Sequence, residues 1–226
     1  VHECDLLLVV GARFDDRVTG KLSAFAPQAK VVHIDVDPAE IGKNVKPLIP
    51  IVGDARHVLA SLIKEVAALE RSADATAAWL AKCAAWEQHY AFDYDRDEST
   101  LAPQFVIEEI DRVTASDAVV VTDVGQHQMW STQYYHYQWP RQFISSGGLG
   151  TMGFGLPAAI GAKIGRPDKT VIDISGDGGF QMTMQELMTA VCHDVPIVVA
   201  ILNNGYLGMV RQWQDLFWNK RYSCTC

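Results

Sequence analysis

Two loop segments carry the residues with the clearest chemical potential, Gly176-Asp177-Gly178 and Asn203-Asn204-Gly205. The Asp177 carboxylate and the Asn204 amide oxygen are hard ligands, suited to an octahedral Mg²⁺ that also binds phosphate oxygens. A main-chain carbonyl at Tyr206 is the third protein ligand expected. Gly176, Gly178 and Gly179 let the backbone come close to a diphosphate. A helix opening near Phe180 would point free N–H groups at the same anion. Either loop alone reads as turn chemistry; the pair, each beyond an apolar run, favours a metal–diphosphate site.

Strands must hold those loops in place. Residues 170–175 (TVIDIS) and 196–202 (PIVVAIL) read as buried parallel strands, joined by helical sequence from Phe180 to His193. Such a βαβ unit sets its two carboxyl-end loops side by side, where open α/β sheets bind ligands. Further strands are expected at 5–10, 30–35, 49–52 and 118–122. Their alternation with helices predicts an α/β fold of parallel sheets flanked by helices. Asp54 is placed to N-cap an amphipathic helix running to about Glu70, and Pro103 to start another at its first position. A polar, Ala-rich break is expected over 71–78, then a helix carrying Trp79, Leu80, Cys83 and Trp86 on one face. The acidic stretch 93–100 marks a boundary, giving two domains, 1–90 and 91–226. A loop over 145–150, a glycine-spaced helix over 153–165 and an apolar helix over 207–218 complete the reading.

Other constellations gather around this frame. Gly125-Gln126-His127 lies at a strand end and a helix start, where N–H groups could hold a second phosphate; His127 alone reads equally as a structural histidine. The run from Ser146 to Gly155 is too glycine-dense for a helix interior. It is either a hinge or bare backbone lying against a flat ring, with Gly150 and Met152 in contact and Met152 as an adaptable wedge. Gly11-Ala12-Arg13-Phe14-Asp15-Asp16-Arg17 follows a strand without forming GxGxxG, which disfavours a nicotinamide oxidoreductase. Surface turn chemistry is its default, yet two arginines there could clamp a diphosphate. Asp35 and Asp54, at neighbouring strand ends, would complete an adenine-dinucleotide site. Trp213 is either a core residue or a pocket wall.

A net charge of −8 argues against a nucleic-acid partner. No apolar run approaches the roughly 18–20 residues of a membrane span. Five scattered cysteines form no zinc pattern and are expected as reduced thiols. The chain starts without Met and stops just after an apolar helix, so a piece of a longer protein is expected.

As a set, GARFDDRVTGKL, HIDVDP, IPIVGDAR, TDVGQHQMW, SSGGLGTMGFGLPAAIGA, GDGGFQM and LNNGYLGMVRQWQ resemble the catalytic large subunits of the acetolactate synthase family. These are thiamine diphosphate-dependent enzymes, and the resemblance covers nearly the whole chain. It implies part of a central FAD-binding domain with a connecting helix (1–90), then a thiamine-diphosphate domain truncated at its C-terminus (91–226). It implies Mg²⁺ at Asp177, Asn204 and the Tyr206 carbonyl. Thiamine diphosphate would meet Gly125, Gln126, His127, Gly150, Met152, Gly178 and Gly179. FAD would lie along Gly11, Ala12, Arg13, Asp15, Arg17, Val18, Asp35, Asp54, Gln128 and Met129. Met209, Val210 and Trp213 would line the substrate entrance.

The implied reaction decarboxylates pyruvate and joins the two-carbon unit to pyruvate or 2-ketobutyrate. The products serve branched-chain amino acid biosynthesis, and FAD would be structural. No catalytic residue is expected in this chain: the family's glutamate lies in an N-terminal domain and acts across a dimer interface. Glu186 reads as an ordinary polar helix position, so the chain alone is expected to be inactive. A homodimer or tetramer, a small regulatory subunit and a cytoplasmic location are implied, or a plastid location if a transit peptide precedes. The competing readings are a related FAD-containing carboligase of the glyoxylate carboligase type and a catalytically silent cofactor-binding module. An upstream glutamate would favour the enzyme over the module.

Overall fold

The computed structural model describes residues 1–69, 74–97 and 99–226. The chain divides into two units, Val1–Ala85 and Trp86–Cys226. In the first, β1 (Leu6–Val10), β2 (Lys30–Asp35) and β3 (Ile49–Val52) form a parallel sheet in that order. The central strand carries the burial: Val31, His33 and Ile34 are enclosed, while Leu6 and Leu8 on β1 and Ile49 and Val52 on β3 remain exposed. Phe14 packs edge-on against both Phe25 and His33. The first turn after β1 is the short helix α1 (Asp16–Thr19), and α2 (Ala55–Ala67) follows β3. Asp54 caps α2 as expected, accepting the His57 N–H at 3.2 Å.

Two expectations about this region change. α2 ends at Ala67, short of the expected Glu70, which like positions 71–73 of the break lies outside the described residues. From Asp74 onward the chain is already helical, as α3 (Asp74–His89). The alanines read as a break instead sustain helix, which their high propensity favours.

The second unit is built on a four-stranded parallel sheet of β4 (Val119–Thr122), β5 (Phe143–Ser145), β6 (Val171–Gly176) and β7 (Val198–Leu202). Its spatial order is β5-β4-β6-β7. Both faces of β4 are buried, as parallel sheets require. Val120 packs with Ile107 and Tyr134, from α4 (Pro103–Thr114) and α5 (Gln126–Tyr134). Val119 and Val121 pack on the other face with Ala159 of α6 (Gly155–Gly165). Pro103 opens α4 as expected, and the face it turns inward is Ile107 and Asp111. Gln142 is fully buried and joins the strands' surroundings, donating from Nε2 to the carbonyls of Ser116 and Ala118.

β5 is absent from the sequence expectation, which placed only a loop from Ser145. Three residues are too few to show a period. The connection from β6 to β7 is also more broken than expected. It runs through α7 (Asp177–Thr183), one 3-10 turn (Met184–Glu186) and α8 (Leu187–Cys192). The helix therefore opens at Asp177 rather than near Phe180, and Asp177 occupies its first turn. The last helix, α9 (Gly208–Phe217), matches the expected span to within a residue at each end.

Gly155 shows how tightly α6 seats on the sheet. A Cβ there would sit 2.9 Å from the Asp123 nitrogen and the Ser175 hydroxyl, and would overlap an Asp173 oxygen. Gly155→Ala should therefore destabilise the fold by about 1–3 kcal/mol, read from the urea midpoint against Gly161→Ala, where a Cβ meets open space.

Candidate functional site

The second sheet contains a reversal of strand order. From β4 the chain crosses through α5 to β5 on one side, then returns through α6 to β6 on the other side of β4. The loops leaving β4 and β6 diverge above the sheet, and ligands of open α/β sheets bind in that crevice. Register completes the arrangement. Gly176 on β6 pairs with Leu202 on β7, so the loops that follow, bearing Asp177 and Asn204, leave adjacent strands at the same level.

The crevice is lined by Gly125, Gln126 and His127 after β4, by Gly176 to Gly179 after β6, and by Asn204, Tyr206, Leu207 and Gly208 after β7. Met152, Met209 and Val210 border it as well. Most of the residues expected to act together are thus neighbours. Two are not among the lining residues. Gly150 lies in an exposed turn at φ +66, closed by its N–H on the Ser146 carbonyl at 3.1 Å. Trp213, one turn beyond Val210 on α9, stacks on Phe217 at 5.1 Å, its partner four residues on.

Each loop is held by identifiable contacts. Asn204 Oδ1 accepts the Tyr206 N–H at 3.0 Å, closing an Asx turn through Gly205 at φ +70. That bond uses one of the oxygen's two lone pairs. The Tyr206 ring lies under the Arg211 guanidinium, 3.9 Å from its centroid. Gln126 Nε2 donates to Gln212 Oε1 at 2.9 Å, tying the start of α5 to α9. A Cβ at Gly208 would overlap the Gln126 side chain, and one at Gly178 would come 2.7 Å from Leu207 Cδ2. A side chain at either position would have to push aside the flexible ends of Gln126 or Leu207.

The residues present fit a diphosphate with its Mg²⁺. Asp177 and Asn204 supply the hard oxygens such a cation selects. His127 is buried, and its Nε2 is an orphaned polar atom among the described residues, the condition a bound anion or water relieves. Burial pushes the His127 pKa below its ordinary value, against the opposing pull of Asp123 and Asp177. The position of the ring leaves no room beside the backbone: a Cβ at Gly125 would sit 2.8 Å from it, and one at Gly176 3.2 Å.

Sequence reasoning assigned no role to Asp123, Asp173 or Gln212. Asp123 and Asp173 are buried, at 1% and 0% exposure, each at or inside the end of an apolar strand. An acidic residue interrupting such a run was the available signal. Glu186, by contrast, is half-buried, accepts the Thr189 hydroxyl at 2.9 Å, and does not line the crevice.

The residues expected along FAD divide between the two units. Gly11, Asp35 and Asp54 lie at the carboxyl ends of β1, β2 and β3, on one edge of the first sheet. Gly11, at φ +61, donates to the Ile34 carbonyl at 2.8 Å, and the Ala12 carbonyl meets His33 Nε2 at 3.1 Å. Arg13 Nε pairs with Asp15 at 2.8 Å, and Asp15 caps α1 through the Val18 N–H at 3.1 Å. Arg17 lies 3.6 Å from Asp16. Asp35 accepts the Asp37 N–H at 2.9 Å. Gln128 and Met129 belong to the second unit, where Gln128 Nε2 donates to the Ser145 hydroxyl at 2.6 Å.

Among the described residues, no helix is long and apolar enough to cross a membrane, and all five cysteines are free thiols.

Comparison with known proteins agrees with this layout. Residues 1–62 match the central domain of thiamine pyrophosphate enzymes, and residues 123–226 match their C-terminal TPP binding domain. The chain is 51% identical to an acetolactate synthase large subunit of Corynebacterium glutamicum, across all of this chain and 36% of that protein. It is 46% identical to the acetolactate synthase isozyme 3 large subunit of Escherichia coli, over 99% of this chain and 39% of the relative. A chloroplastic acetolactate synthase 2 of Nicotiana tabacum is 48% identical over the whole chain and 34% of its own length. The chain thus spans little more than a third of the relatives it matches.

Proposed function

The chain belongs to the thiamine pyrophosphate enzyme family, and from that premise we propose that it is the cofactor-binding part of an acetolactate synthase large subunit. The observation that supports this best is the convergence of Asp177, Asn204, Gly125 to His127 and Met152 on one crevice at the strand-order reversal. Asp177, Asn204 and the Tyr206 carbonyl would hold Mg²⁺. Gly125, Gln126, His127, Gly178 and Gly179 would receive the diphosphate, with Gly150 and Met152 toward the aminopyrimidine. Bound thiamine diphosphate supplies the nucleophilic carbon and the electron sink. The protein's own part is to orient and to exclude water. The His127 ring would offer Nε2 to a phosphate oxygen and Met152 would fill space beside the ring system, while Leu207 and Val210 make the crevice wall apolar.

The reaction proposed is decarboxylation of pyruvate and condensation with pyruvate or 2-ketobutyrate, giving 2-acetolactate or 2-aceto-2-hydroxybutyrate for isoleucine and valine biosynthesis. Met209, Val210 and Trp213 would face the substrates. FAD, with a structural role, would bind along Gly11, Ala12, Arg13, Asp15, Arg17, Val18, Asp35, Asp54, Gln128 and Met129. Asp177 is the one carboxylate lining the crevice among the described residues. The glutamate that activates the cofactor is accordingly proposed to come from outside residues 1–226, across a dimer or tetramer interface, with a small regulatory subunit as a further partner. The residues here, taken by themselves, would turn over no pyruvate. The cytoplasm is the proposed location, or a plastid where a transit peptide precedes.

Product analysis tests the proposal. The full-length gene product, given pyruvate and 2-ketobutyrate with Mg²⁺, thiamine diphosphate and FAD, should form mainly 2-aceto-2-hydroxybutyrate. Acetaldehyde alone would indicate a decarboxylase. A glyoxylate-dependent product would indicate the related carboligase, and no turnover a silent module.

A further inference from the structure

Asp123 closes β4 and is almost wholly buried, at 1% exposure. Its carboxylate accepts three backbone N–H groups from two separate segments. Oδ1 takes the Val124 N–H at 2.6 Å. Oδ2 takes the N–H groups of Gly153 and Gly155 at 2.8 and 3.2 Å. Val124 leads directly into Gly125, Gln126 and His127. Gly153 and Gly155 follow Met152 and begin α6. A third segment closes on the same group, since a Cβ at Gly179 would lie 2.6 Å from Asp123 Oδ1. Gly153 adopts φ +82, and the Thr183 hydroxyl of α7 holds its carbonyl at 3.1 Å.

A carboxylate accepts but does not donate, and three donors converge on this one. An amide cannot replace it, because whichever way it turns its NH₂ faces a backbone N–H. Nor is the group placed there for stability alone. Asp173 is buried nearby, and the Asp123 charge is one of the influences that raise its pKa. Two buried acids side by side are costly for the fold, so a neutral residue at 123 would relieve that repulsion while losing the loop contacts.

We propose that Asp123 is a positioning residue that clamps the segments on either side of the cofactor crevice, Val124–His127 and Met152–Gly155, in register for binding. It acts through the backbone of those segments rather than by touching the cofactor. The inference rests on the thiamine diphosphate reading of the crevice and extends it to a residue outside the lining.

The test uses the full-length enzyme carrying Asp123→Asn. Thiamine diphosphate binding with saturating Mg²⁺, followed by quenching of intrinsic tryptophan fluorescence, should weaken about 10- to 100-fold, the loss expected from one or two orphaned N–H groups. At saturating cofactor, kcat should stay within about threefold of wild type, so the defect lies in cofactor affinity rather than in turnover. Asp173→Asn, which leaves the clamp in place, should bind the cofactor within about threefold of wild type. Unchanged cofactor affinity in folded Asp123→Asn overturns the clamp, as does equal weakening in both variants.

If Asp123→Asn does not fold, amide exchange of the wild-type apoenzyme decides. Protected Gly153 and Gly155 N–H groups support the clamp, and exchange at free-peptide rates overturns it. If wild type itself binds no thiamine diphosphate, the functional reading falls, and the same amide exchange still judges the clamp.

Discussion

Asp177→Ala in the full-length enzyme should weaken Mg²⁺-dependent retention of thiamine diphosphate by roughly 100-fold or more, at a cost in fold stability of under about 1 kcal/mol. The two magnitudes differ because the side chain does different things in the two settings. In the protein alone, Asp177 sits in the first turn of α7 and lines the crevice. It contributes there only the modest attraction between a carboxylate and a helix N-terminus. With the cofactor it would be the sole charged protein ligand to the cation, since Asn204 and the Tyr206 carbonyl are neutral. A hard divalent cation draws most of its affinity from ligand charge and geometry. Asp177→Asn keeps the shape and loses the charge, and should fall close to the alanine variant. Cofactor retention through gel filtration, with and without Mg²⁺, separates the two effects. Retention by Asp177→Ala equal to wild type would remove the metal from this loop. A large drop in the apoenzyme's unfolding midpoint would make Asp177 a structural residue instead.

The parts of this molecule that were readable in sequence are those where one force dominates. The runs 30–35 and 49–52 form β2 and β3 over the expected residues, because Val, Ile and a terminating turn agree on one outcome. Asp177 and Asn204 could be brought together on paper because parallel strands joined by a helix have only one favourable connection. Other features depend on competition that sequence does not display. β5 is three residues long and exists because Phe143 to Ser145 complete the edge beside β4. Asp177-Gly178-Gly179 looks like loop, since two glycines oppose helix. It is nonetheless helical, and its glycines lie where an added Cβ would crowd Asp123 and Leu207. Asp173 falls inside an expected strand and Asp123 just beyond another, and their burial near one another depends on the crossover of α6 above them.

That buried pair leads to the second large effect, a pH dependence of stability. Asp173 is fully buried on β6, and its surroundings push its pKa from 3.8 up to about 7. Burial is the main cause and the Asp123 charge adds to it, while the Ser175 hydroxyl, 2.9 Å from both oxygens, pulls the other way. A carboxyl group whose folded pKa is raised favours the folded state when protonated. That contribution is complete below the unfolded pKa and disappears as pH rises through the folded value. Between 3.8 and about 7 the folded chain binds more protons than the unfolded one, so stability falls with rising pH across that window. A carboxyl group held near 7 rather than 3.8 accounts for roughly 4 kcal/mol over the full interval. Asp173→Asn keeps an acceptor for Ser175 and removes the charge. The variant should match wild type only below about pH 4, already exceed it by about 1–2 kcal/mol at about pH 5, and exceed it by roughly 4 kcal/mol at about pH 8. Urea midpoints of the two proteins across that range give the comparison directly. A variant less stable than wild type at the higher pH would mean that the Asp173 carboxylate is stabilised by a partner stronger than Ser175. Parallel curves would mean that both acids stay ionised in the fold, with the repulsion absorbed by the three N–H groups on Asp123.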